Sequence, residues 1–98
     1  MDLKDRLERE AARGQEAKEV LGNRLFVEAW TTVESGIIQK WRDCPIKELD
    51  SQHELKLMLH VMSEVRRYIE IAAETGKLAQ IQLSTDSKVK KFARSVGL

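Results

Sequence analysis

The stretch SQHELKLMLHVMSEVRRYIEIAAETGKLAQIQL, residues 51–83, decides the fold of this chain. Within it, apolar and small residues fall at Leu55, Met58, Met62, Val65, Ile69, Ala72, Gly76, Ala79 and Leu83, in alternating steps of three and four. That spacing predicts one long helix with a seam of the kind buried in coiled coils and antiparallel helical hairpins. A second stripe, Leu57, Val61, Tyr68, Ile71 and Leu78, lies roughly 110° around the same helix at about 100° per residue. One partner helix cannot cover both stripes. The second is therefore expected to serve as an oligomer interface.

Working back toward the N-terminus, Ser51 and Glu54 read as a capping box that starts the long helix. Pro45 to Asp50 is a connection of the length found between antiparallel neighbours. Pro45 also disfavours helical geometry in the residue before it, so the preceding helix should end at Asp43-Cys44. That helix carries Phe26, Trp30, Val33, Ile37 and Trp41 on one face, which makes it the natural mate of the long helix, with both tryptophans turned toward it. Asn23 is its expected N-cap, after the break at Gly22. Gly36 reads either as a tolerated weak point or as a close helix crossing.

Residues 1–22 form a charged arm whose opposite charges stand four apart at Asp2 and Arg6, Asp5 and Arg9, and Arg6 and Glu10. Apolar residues are few there, and Gly14 costs the helix about 1 kcal/mol relative to Ala. The arm is expected to be helical when docked. At the other end, Ser84-Thr85-Asp86-Ser87 reads as a helix stop or as the cap of a short last helix. A basic tail follows. The expected organisation is an all-α chain with an arm (1–22), an antiparallel helical hairpin core (23–83) and a basic tail (84–98), assembled as a homo-oligomer.

Composition narrows the function. A chain of 98 residues buries a modest core without the deep pocket of most enzymes. Seventeen Lys or Arg against sixteen Asp or Glu produce no global field to hold nucleic acid or an anionic membrane. A single cysteine rules out an intrachain disulfide and suits a reducing compartment. The opening residues lack an apolar signal core, and no run of eighteen apolar residues follows, so neither export nor a membrane partner is expected.

No chemistry-bearing constellation emerges. His53 and His60 stand seven apart, two helical turns, where a zinc pair wants four. His60 and Glu64 have that spacing, but no further ligand completes a site. Cys44 has no nearby histidine to act as its base. No catalytic residue, metal or cofactor is expected. The one dense basic cluster, Lys88, Lys90, Lys91 and Arg94 with Phe92 interleaved, is the candidate nucleic-acid contact, because lysines can follow a phosphate backbone while an aromatic ring packs on a base.

The residues Leu25-Phe26-Val27-Glu28-Ala29-Trp30, Ile37-Ile38-Gln39-Lys40-Trp41, the Pro45 break, Leu55-Lys56-Leu57-Met58-Leu59, Val65-Arg66-Arg67 and Glu74-Thr75-Gly76-Lys77-Leu78-Ala79 resemble a group of small proteins of tailed phages and prophages. The similarity covers roughly Leu21 to Leu83. Members of that group are found among head and packaging genes. The resemblance implies a small component of virion assembly or DNA packaging, with phage structural or packaging proteins as partners. It places the chain in the cytoplasm of a bacterial host cell or within a virion. The hairpin also looks like the oligomerising core of small terminase subunits. Only one helix precedes Gly22, where a full small terminase has a helix-turn-helix, and that weakens the case for sequence-specific DNA recognition.

Overall fold

A computed structural model describes residues 2–97. It is all-α: α1 spans Leu3–Gly22, α2 spans Arg24–Asp43 and α3 spans Leu49–Ser95, with no strand among the described residues. The long helix is present and exceeds the expected stretch at both ends. It starts at Leu49, so Ser51 and Glu54 lie inside it and are not its cap. The link from Cys44 to Glu48 is instead tied by backbone bonds, Glu48 N–H to the Pro45 carbonyl (3.0 Å) and Gln52 N–H to the Glu48 carbonyl (3.1 Å). The Gln52 side-chain amide also donates to the Pro45 carbonyl at 2.9 Å, fastening the first turn of α3 to the link.

No helix stop occurs at Ser84–Ser87, where α3 continues without a break. The Thr85 hydroxyl donates to the Ile81 carbonyl one turn back (2.9 Å), so a side chain that often competes with the helix is satisfied within it. The end comes at Gly97, whose φ of 75° is the left-handed conformation that closes many helices. Lys88 through Arg94 are consequently part of α3 and not of a separate short helix.

The expected boundary between α1 and α2 is present. The Asn23 side chain accepts from the Phe26 N–H at 2.9 Å, and Asn23 itself is extended (φ −71°, ψ 123°), the geometry of an N-cap. Asn23→Ala should lower stability by about 1 kcal/mol in urea denaturation followed by tryptophan fluorescence. At the other end Cys44 is extended ahead of Pro45, and Lys40 and Arg42 sit in the last turn, where cations suit the helix dipole.

The chain forms two compact units, one of residues up to Glu19 with those from Glu70 on, the other Val20–Ile69. In the first unit α1 packs antiparallel on α3, with Leu7, Ala11 and Ala79 forming a core that Leu83 joins. Ala79 is 2% exposed, and Gly14, Ala17 and Gly76 are buried with it. A face of Ala and Gly lets the two backbones approach closely. A Cβ on Gly14 would overlap the Gly76 Cα and stand 3.1 Å from the Ala72 carbonyl oxygen. A Cβ on Gly76 would overlap the Gly14 Cα and stand 2.8 Å from the Glu10 carbonyl oxygen. The glycine that weakens α1 in isolation is thus the point at which α1 docks. The close crossing considered for Gly36 is found here instead, since a Cβ on Gly36 meets nothing within 4 Å.

In the second unit α2 and the start of α3 form the expected hairpin, packed more loosely. No residue of α2 is buried. Phe26 and Trp30 stack obliquely, ring centroids 5.6 Å apart, and both are partly covered. Trp41 departs from the expected burial at 47% exposed. It stands in the last turn of α2.

Candidate interaction surface

In the second unit an open groove of about 280 Å³ is lined by Phe26, Ala29, Trp30, Val33 and Met62. Its walls come from the helical spacing of α2 on one side and a seam residue of α3 on the other. Nothing polar converges on it, so it can take apolar side chains but offers no group to orient a reacting substrate.

The seam of α3 is the face that packs: Leu55, Met62, Ile69, Ala72 and Leu83 are partly covered, and Gly76 and Ala79 are buried. Met58 and Val65, members of the same seam, are 51% and 48% exposed. The second stripe, Leu57, Val61, Tyr68, Ile71 and Leu78, is exposed throughout, at 51–64%. Apolar residues of this size left uncovered along one side of a helix make it the candidate interaction face. The stripe also runs further than the sequence reading followed it. Because α3 continues past Ser87, Val89, Phe92 and Val96 extend the same three-four spacing, and all three are exposed. Counting the heptad on through Thr85 would have found them.

The candidate nucleic-acid residues Lys88, Lys90, Lys91, Phe92 and Arg94 all sit exposed on the last turns of α3. The helix distributes them around its circumference, with Phe92 on the apolar side beside Val89 and Val96. His53 and His60 are exposed on α3, and among the described residues no three His, Cys, Asp or Glu gather to hold a metal. The Cys44 thiol lies 3.8 Å from the Pro45 carbonyl oxygen and 3.9 Å from that of Glu48, folded against the link. No helix among the described residues is long and apolar enough to cross a membrane.

Comparison with protein-family models, with curated proteins and with solved structures found no match.

Proposed function

We propose that the chain is a non-enzymatic, self-associating helical protein that acts in the assembly of a phage particle or the packaging of its DNA. The observation that carries self-association is the exposed stripe Leu57, Val61, Tyr68, Ile71 and Leu78 on a helix whose other seam is partly occupied, with Gly76 and Ala79 buried in it. Leaving five large apolar side chains half in water is unfavourable, and a second helix laid along them recovers that free energy. The phage setting rests on the sequence resemblance. Sedimentation equilibrium of the full chain at micromolar concentration should show a dimer or larger species. A monomer there would remove the reading.

A second reading, a nucleic-acid-binding accessory factor, is favoured by one observation: Lys88, Lys90, Lys91 and Arg94 are all exposed near the end of α3. Four phosphate contacts would weaken binding about a hundredfold between about 50 and 200 mM salt, whereas apolar assembly would hold or tighten. The triple variant K90Q/K91Q/R94Q should lose retention of a single-stranded probe without any change of oligomer. Equal retention by the variant and the unaltered chain would exclude this surface.

A further inference from the structure

We infer that the partner covering the second stripe from Tyr68 to Phe92 is another copy of this chain, with the two α3 helices antiparallel and crossing at a two-fold axis beside Gln80. The inference rests on the self-association proposed above and specifies its geometry. The stripe on α3 is nearly a palindrome. Counted outward from Gln80, it meets Leu78 and Gln82, then Thr75 and Thr85, then Ile71 and Val89, then Tyr68 and Phe92. Each of these pairs matches in character except the innermost, where an apolar residue stands against an amide; beyond them Val96 mirrors Glu64 at the margin. An isologous interface requires this property, because each residue of one copy must suit the mirror position of the other.

In the antiparallel arrangement Ile71 packs on Val89 of the second copy, Tyr68 on its Phe92 and Thr75 on its Thr85, and each layer repeats on the far side of the axis. The apolar members are 52–67% exposed, so the surface is open to receive them. Thr85 brings no stranded hydroxyl into such a layer, since its Oγ1 already donates to the Ile81 carbonyl at 2.9 Å. Gln82 facing Leu78 supplies the polar position that holds a coiled-coil register at some cost in stability.

Charge also fits this register. One flank of the stripe carries Ile81, with Glu74 seven residues before it and Lys88 seven after, all exposed. With the copies antiparallel, Ile81 meets Ile81 at the axis, and Glu74 of each copy meets Lys88 of the other. A register centred near Ile69 would instead set Arg67 against Glu74, but it would bury Glu64 against Thr75 and leave Val89 and Phe92 uncovered. The register at Gln80 moves Glu64 to the margin and covers both, while Leu57 and Val61 extend past the end of the partner's α3 at Ser95. In this arrangement Phe92 belongs to the protein interface, while Lys90 and Arg94 stay outside it.

Charge exchange in the full chain tests the proposal by sedimentation equilibrium. E74K alone and K88E alone each turn two attractive pairs per dimer into repulsive ones and should raise the dissociation constant about tenfold. The double variant E74K/K88E should return to within about twofold of the unaltered chain, because the pairs are rebuilt with reversed sign. A double variant no better than either single one would overturn the arrangement, as would rescue of E74K by R67E instead of K88E. In both cases self-association would stand. A monomeric unaltered chain would overturn the reading beneath it.

Discussion

Replacing Gly76 by alanine is expected to loosen α1 from α3 and to lower the stability of that unit by about 1–3 kcal/mol. The added methyl group would overlap the Gly14 Cα and stand 2.8 Å from the Glu10 carbonyl oxygen. Both obstacles are backbone, so no rotamer change can relieve them and the helices must separate. Separation uncovers Leu7, Ala11, Ala17 and Ala79, which are the buried apolar residues of the described chain. Alanine also gains about 1 kcal/mol in helix propensity, which opposes the loss. Gly36→Ala isolates that opposing effect, because a Cβ there meets nothing within 4 Å and the change should stabilise by about 0.5–1 kcal/mol. Native-state hydrogen exchange resolves the outcome by unit. The amides of α1 should lose protection in Gly76→Ala, while tryptophan fluorescence, which reports only Trp30 and Trp41 in the other unit, should hardly move. Stabilisation by both variants alike would refute the close docking of α1.

The second large effect is expected from placing glutamates at Ile71 and Leu78 together. Both positions are more than half exposed, so the single chain has little to lose, and Glu is a good helix former. In the assembly each copy would bring one carboxylate against Val89 and another beside Gln82 of the second copy, both inside the interface. Burying unpaired charge costs several kcal/mol, which should raise the dissociation constant at least about a thousandfold. Sedimentation should then show the smallest species with circular dichroism unchanged. If helicity collapsed as well, Ile71 and Leu78 would belong to the intrachain core and the face assigned to assembly would be wrong.

Much of the architecture is legible in local pattern. The steps of three and four from Leu55 to Leu83 specify a long helix whatever else surrounds it, because only a helix places those side chains in one line. Asn23 caps α2, and Pro45 ends it, through interactions within a few residues, so their effects need no knowledge of the fold. The second stripe on α3 is a property of the same periodicity, and its exposure follows once the first seam has a partner.

Other features depend on which backbone meets which. Gly14 reads in sequence as a defect in a solvated arm. Only the approach of Gly76, sixty-two positions later in the chain, makes it the contact that lets α1 dock. The run Ser84–Ser87 likewise reads as a stop, because serine and threonine favour turns when judged singly. Within a helix propagating from Leu49 the Thr85 hydroxyl finds the Ile81 carbonyl and the ladder continues. Trp41 fits the apolar face of α2 by spacing, yet it is 47% exposed, which the spacing along one helix does not reveal. Periodicity along the chain therefore determined which residues share a helical face and that one face would be left over. The tertiary structure alone decided which faces meet, because close packing depends on the shapes of both surfaces and a sequence stretch displays only one of them.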